Sequence, residues 1–289
     1  MTKQISVLEF FKQFPDDDTC LEHLMQVRYG KELKCPSCAK QTKFHRIKKR
    51  PVFGCQYCGH QISPMAGTPF ERSRTALQKW FYAIYLFTTS RHGVPAKELQ
   101  RQLSVTYKTA WRMGHEIRKY MGKVDGDDGL SGHVEIDETF IGGKQKRSDD
   151  PQARISNKTI VMGMLQRGGK VMTRVIPDVK RGTLVPVILE NVAKGSTINT
   201  DEWVGYWHLY KHGYTHRMVN HKEEQWVRDG IHSTNGIENF WARLKLSIRG
   251  THIHVSKKHM AKYLAEFEYR YNMRGANSPL MFDQLLQAF

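Results

Sequence analysis

The stretch His133-Val134-Glu135-Ile136-Asp137-Glu138-Thr139-Phe140-Ile141 reads as a β-strand, rich in β-branched and aromatic residues and stopped by Gly142-Gly143. It opens a region whose pattern differs from everything before it. A basic, turn-rich loop over 144–158 follows. Residues 159–165 and 170–176 then flank Arg167-Gly168-Gly169, a hairpin signal. Residues 183–192 read as a helix with Pro186 in its first turn, 196–200 as a short strand running into Asp201, and 214–219 as another strand. His232-Ser233-Thr234-Asn235-Gly236 suits a helix start, and a long helix over 257–271 comes last. Strands followed by helices in this order give an α/β fold, with a mixed sheet as the natural closure.

The helix that begins near Asn235 is amphipathic. At about 100° per residue, Ile237, Phe240, Trp241, Leu244 and Ile248 share one side, and Glu238, Ala242, Lys245 and Arg249 share another. A solvated, salt-bridged face would show the same spacing.

Upstream, residues 122–132 contain Gly122, Gly126, Gly129 and Gly132 and form the best boundary in the chain. Before it, three helices are expected. The first covers 75–88, the second 96–102, and the third runs from near Thr106 to Lys119. The last two, joined by the tight turn Leu103-Ser104-Val105, form a helix-turn-helix pattern. Tyr107, Lys108, Thr109 and Arg112 fall in the first turns of its second helix, where base edges are met. An ordinary helical hairpin is the plainer alternative.

Further upstream, Cys35-Pro36-Ser37-Cys38 and Cys55-Gln56-Tyr57-Cys58 stand 16 residues apart. Four thiolates in two knuckles make the closed tetrahedral site of one structural zinc ion, and the paired repeat disfavours a redox dithiol. Lys43, Arg46, Lys48, Lys49 and Arg50 lie between the knuckles with Phe44, Val52 and Phe53 interleaved, which suggests short antiparallel strands with a basic edge: a zinc ribbon. Cys20 is expected to be a small core residue.

The formal charge of the 289 residues is +17. Residues 1–125 hold 22 basic and 10 acidic residues, a net of +12, and residues 126–289 hold 23 and 18, a net of +5. A front part charged this way points to nucleic acid. No run of 18 apolar residues and no secretory signal is present, so neither a membrane partner nor an oxidising compartment is expected.

Three acids stand out: Asp137 inside the first strand, Asp201 just past a buried-looking strand, and Glu238 on the amphipathic helix, spaced by 64 and 37 residues. Acids in apolar strands are costly to bury without a cation. Three carboxylates converging on two Mg²⁺ (or Mn²⁺) ions would meet that cost and build a two-metal site for phosphodiester chemistry. Glu135 shares the strand face of Asp137 and is an alternative to it. His232, Asn235 and Asn239 are polar neighbours that would replace or assist Glu238.

Taken together, residues 135–144, 200–206 and 235–245 resemble the three motif blocks of DDE transposases, and the likeness spans about residues 20–275. It is closest to the insertion-sequence group with an N-terminal zinc ribbon, the ISXO-type transposases; Gly67-Thr68-Pro69-Phe70 and the helix around Trp80 also fit that group. The resemblance implies a ribonuclease-H-like catalytic fold, Mg²⁺ dependence, and cutting and strand transfer at the terminal inverted repeats of a mobile element. It maps the two aspartates onto Asp137 and Asp201. Because the group carries Glu or Asn at the third position, it leaves Glu238, whose spacing to Lys245 suits the wider class, and Asn235 as the choices.

The expected organisation is a helical lead-in (1–30), a zinc ribbon (31–66), a helix-turn-helix region (67–122), a catalytic domain (133–275) and a C-terminal segment (276–289). The expected function is that of a DNA transposase acting in the cytoplasm at the nucleoid, on double-stranded element ends and target, as a homodimer or larger synapse. Lys245 and Arg249 join the ribbon and helix-turn-helix residues as expected DNA contacts. The alternatives are a zinc-dependent regulator with an inert α/β domain, and a structure-specific nuclease or resolvase of the same fold.

Overall fold

The computed structural model describes residues 5–48, 50–124, 128–142, 158–219 and 233–289. Lys49, His232 and all but the last residue of the loop expected over 144–158 lie outside them. Two compact units form, residues 1–124 with 275–289, and residues 125–274.

In the first unit, helices α1 (Val7–Gln13) and α2 (Asp17–Tyr29) precede five short strands. β1 (Leu33–Lys34) pairs with β2 (Gln41–Thr42), and β3 (Phe44–Ile47), β4 (Val52–Cys55) and β5 (Gln61–Ile62) form an antiparallel sheet. Helices α3 (Leu77–Thr89), α4 (Ala96–Leu103) and α5 (Tyr107–Val124) follow. The turn between α4 and α5 is tight because Ser104 takes the left-handed conformation (φ 49°, ψ 54°), and the Thr106 hydroxyl caps α5 by accepting the Thr109 N–H at 3.2 Å. Leu99, Leu103, Ala110, Met113 and Ile117 are buried, which leaves Tyr107, Lys108, Trp111 and Arg112 on the exposed side.

The second unit is a five-stranded sheet. β6 (His133–Ile141), β7 (Thr159–Gln166) and β8 (Val171–Ile176) make an antiparallel meander. β9 (Thr197–Thr200) runs parallel to β6, and β10 (Thr215–Met218) parallel to β9, in the spatial order β10-β9-β6-β7-β8. This mixed order is that of a ribonuclease-H-like sheet. One face packs on α6 (Arg181–Asn191) through Val134, Ile136, Met162, Leu184 and Ile188. The other is covered by α7 (Asn235–Ser247) and α8 (Met260–Asn272) through Val161, Leu165, Phe240, Leu244 and Leu264. Because both faces are buried, β7 shows an almost unbroken apolar run.

Two expectations need adjustment. Pro186 sits in the second turn of α6, not the first, because the helix begins at Arg181, before its apolar pattern does. The last helix of the unit begins at Met260 after a 3-10 turn over Lys257–His259.

The chain then returns to the first unit. Helix α9 (Ser278–Ala288) sets Phe282 against Phe14 and Phe81, with ring centroids 5.6 and 5.5 Å apart, and Asp283 pairs with His23 at 2.8 Å. Segments that read separately in sequence thus share one aromatic core. Among the described residues, no helix is long and apolar enough to cross a membrane.

The approach of α7 to the sheet depends on Gly163. A Cβ there would lie 2.4 Å from Trp241 Cζ2 and 2.8 Å from Ile237 Cδ1. Gly163→Ala is therefore expected to displace α7 and destabilise this unit by about 1–3 kcal/mol. Thermal unfolding checks this, and an unchanged melting temperature would refute the close contact.

Candidate active site and zinc centre

β6 and β9 are in parallel register with Glu135 opposite Asn199. Two residues further on stand Asp137, in the middle of β6, and Asp201, just past the end of β9, so the register brings both aspartates to the same level. Asp137 pairs across β7 with Gly163, the position over which Trp241 and Ile237 of α7 pass. Close packing there brings Glu238, one residue beyond Ile237, into electrostatic reach of Asp137. The Asp137 carboxyl is pushed up to about 6, by burial first and then by the charge of Asp201, with Glu238 adding to it; the Glu138 N–H and the Trp241 indole act against the rise.

The remaining contacts fix these groups. Asp201 Oδ1 accepts the Trp203 N–H at 3.0 Å, and Glu238 Oε1 accepts the Thr234 hydroxyl at 2.9 Å. Asn235 and Asn239 are exposed, and Asn239 Oδ1 accepts from Arg243 Nε at 3.0 Å. Glu138, read from sequence only as a neighbour of Asp137, belongs electrostatically to the same group. Its carboxyl is raised to about 7, by burial first; the Tyr206 hydroxyl, which donates to it, opposes the rise, and Asp137 and Asp201 add to it. An acid at an otherwise apolar strand position was the available signal.

Glu135 has a different place. It is buried, pairs with Arg167 Nε at 2.8 Å, and accepts the Ile237 N–H through Oε2 at 3.0 Å. Arg167 also donates to the Ser233 carbonyl and hydroxyl at 3.0 and 2.7 Å. Thr234, the residue before α7, makes no side-chain cap, so a strand carboxylate caps the helix instead and favours its N-terminal dipole. Gly236 makes room for this, since a Cβ there would lie 2.8 Å from Glu135 Oε2.

In the ribbon, the sulfurs of Cys35, Cys38, Cys55 and Cys58 all lie within 4.8 Å of one another, with Cys35–Cys58 at 3.6 Å and Cys38–Cys55 at 3.8 Å. A zinc tetrahedron with its usual Zn–S bonds spaces its sulfurs by roughly 3.8 Å, so the residues fit the ion. The knuckles are built alike. Cys35 and Cys55 each accept from the residue four positions on, Ala39 or Gly59, and donate to the residue after that. Ala39 and Gly59 take positive φ angles of 58° and 71°. Cys20 is buried and free.

The basic residues divide. Lys43, Lys48 and Arg50 are exposed, and Tyr107 lies under Lys97 with the ammonium 5.1 Å from the ring centroid. Arg46 is tied into the ribbon: its guanidinium reaches Asp18 at 2.6 Å and the carbonyls of Ile47 and Arg50, so the structure gives it a bracing place that the sequence did not reveal. Lys245 is half-buried, on the face of α7 that carries Glu238, and Arg249 is exposed in the π-helical turn that follows α7, not on the helix face expected from its spacing.

An acid group on a ribonuclease-H-like sheet, in a chain with a four-cysteine ribbon, defines a class of nucleic-acid-processing proteins. Residues 129–272 match the ISXO2-like transposase domain, and residues 15–61 match the transposase zinc-ribbon domain. The chain is 27% identical over 282 residues to an uncharacterized protein in transposable element ISH50 of Halobacterium salinarum, covering 90% of this chain and 92% of that protein. It is 34% identical over 103 residues to an uncharacterized transposase-like protein of Haemophilus influenzae, covering 36% of this chain and 81% of that one. The chain belongs to the ISXO2-like transposase family.

Two measurements follow. Asp137 and Glu138 hold protons in the folded state that they release on unfolding, above their ordinary values of 3.8 and 4.5 and up to about 6 and 7. Their contribution is fully present at low pH and is lost as pH rises through that window. Without added divalent cation, Asp137→Asn should therefore raise the melting temperature near pH 8 by about 2–4 °C, or roughly 1 kcal/mol, and flatten its pH dependence; a lowered value would count against mutual repulsion. Elemental analysis should find one zinc ion per chain, and Cys38→Ser should lose it.

Proposed function

We propose that this chain is the transposase of an insertion sequence, binding the terminal inverted repeats of its element, cutting at their ends and joining them to target DNA. The observation that carries the reading is the placement of Asp201 and Glu238 within electrostatic reach of the buried Asp137 carboxyl, where β6, β9 and the start of α7 meet. The three carboxylates are hard oxygen donors with excess negative charge, the set that Mg²⁺ or Mn²⁺ prefers. When bound, two such ions supply an activated water or 3′-hydroxyl and stabilise the leaving oxygen. Asp137, Asp201 and Glu238 would hold them. Thr234 orients Glu238, and Glu135 with Arg167 holds the helix that carries it.

The first unit supplies DNA binding in this reading. Lys43, Lys48 and Arg50 on the ribbon, and Tyr107, Lys108 and Arg112 on α5, are exposed and contact the element ends. Lys245 and Arg249 hold the phosphate beside the reacting end. Cutting and joining two ends requires them to be brought together, so the working form is a homodimer or a larger synapse.

The test is strand transfer on a labelled duplex carrying the element's terminal repeat, with and without Mg²⁺. Asp137→Asn and Glu238→Gln should each reduce joining by roughly 10²–10³-fold or more, with end binding retained, whereas Asn235→Ala should stay within a few-fold. The reverse ranking of Glu238 and Asn235 would move the third catalytic position to Asn235. Cleavage of junctions without joining would instead identify a nuclease.

A further inference from the structure

The helix that carries Glu238 ends unusually. At Ile248, α7 passes into a π-helical turn, Ile248–His252, and the chain reverses at Ile253 with φ 65° and ψ −56°. The His254 N–H donates to the His252 carbonyl at 2.7 Å. Ile253 is thus the centre of a γ-turn of the rare positive-φ kind, a conformation that crowds a β-branched side chain. Burial does not compensate: Ile253 is 82% exposed, the most of any large hydrophobic among the described residues. The chain is pinned on both sides of it. His252 packs edge-on against Tyr263 with centroids 4.8 Å apart, and Val255 is buried in the core.

Ile253 stands at the edge of a cavity of about 450 Å³. Ile141, Ile248 and Val255 give it apolar walls, and Lys245, Arg249 and His254 bring basic groups to it. No carboxylate lines it among the described residues. The cavity stands roughly 10 Å from the acid group: Phe140 on its wall lies three residues beyond Asp137 along β6, and Lys245 two helical turns beyond Glu238 on the same face of α7.

An apolar chamber of nucleotide size, cationic side chains around it and a strained, protruding aliphatic side chain suit one occupant. We propose that Ile253 enters the base stack along the strand that leads to the acid group, and that the cavity receives the single unstacked deoxynucleotide, its phosphate held by Lys245 and Arg249. Aliphatic side chains open base steps in this way, and an unpaired base is the cheapest to remove from the stack. The backbone strain at Ile253 is set before DNA arrives, so the wedge needs no rearrangement on binding. This rests on the DNA-processing reading above and adds to it a base-accepting site that the acids do not require.

The test uses the full chain and two duplexes of the same sequence, one fully paired and one carrying a single extrahelical 2-aminopurine. Anisotropy should show roughly tenfold or greater preference for the second, with 2-aminopurine emission changing on binding. Ile253→Gly should reduce the preference to about twofold or less while melting no lower than the parent, because glycine adopts this φ freely; a packing role would lower the melting temperature instead. Equal affinity for the two duplexes overturns the proposal, as does a preference kept by Ile253→Gly. A shift from dimer to monomer in Ile253→Gly, with the preference intact, would make this face a contact between copies and also overturn it. Failure to bind either duplex would reject the DNA-processing reading itself, a different result from binding without preference.

Discussion

The distance between one helix and one sheet governs the second unit. Trp241 and Ile237 cross β7 where residue 163 has no side chain, and any larger residue would lift α7 away. Asp137 lies opposite that glycine, so the same contact that closes the core also sets how near Glu238 comes to the strand acids. The N-terminus of α7 is fastened independently by Glu135 and Arg167. One contact sets height and the other sets position along the sheet. A shift in either changes the acid group without touching an acid, since close-packed interiors transmit displacement instead of absorbing it.

The two sites of the chain use charge in opposite ways. The four cysteines sit at spacings that fit zinc, in knuckles whose backbone bonds already enclose the ion's place, and the segment around them is too small for a core of its own. There the metal contributes to folding itself. The carboxylates sit in a unit with two full hydrophobic cores, which does not need them for its fold. Asp137 and Glu138 oppose folding at neutral pH, and the cores on either side of the sheet outweigh them. A site of this kind holds uncompensated charge ready for a cation or for chemistry.

Much of this was legible from local pattern. The knuckles, the strand around Asp137 and the apolar stripe of α7 each announce themselves within a dozen residues, because thiol spacing and side-chain period are local properties. What was hidden depended on tertiary partners. Glu135 and Asp137 share a strand face, and only the placement of Arg167 and the start of α7 separates a helix-capping acid from a member of the acid group. Arg46 reads as one more cation on a basic edge until Asp18 and two carbonyls are found around it. Gly163 drew no reading from the sequence: a glycine inside a strand can mark close approach, but which helix approaches is not encoded nearby. The turn at Ile253 has no local signal, since neither glycine nor asparagine marks its positive φ.

The return of α9 to the first unit has a consequence for how the protein is made. Phe282 and Asp283 complete a core whose other members, Phe14, His23 and Phe81, leave the ribosome first. Between them lie the 150 residues of the second unit. The front unit must therefore wait, with part of its aromatic core uncovered, until the second unit has been synthesised. Order of synthesis and order of completion are reversed: of the two units, the one started first is the last to be finished. A chain cut short after the second unit would lose the helix that closes the aromatic core of the first.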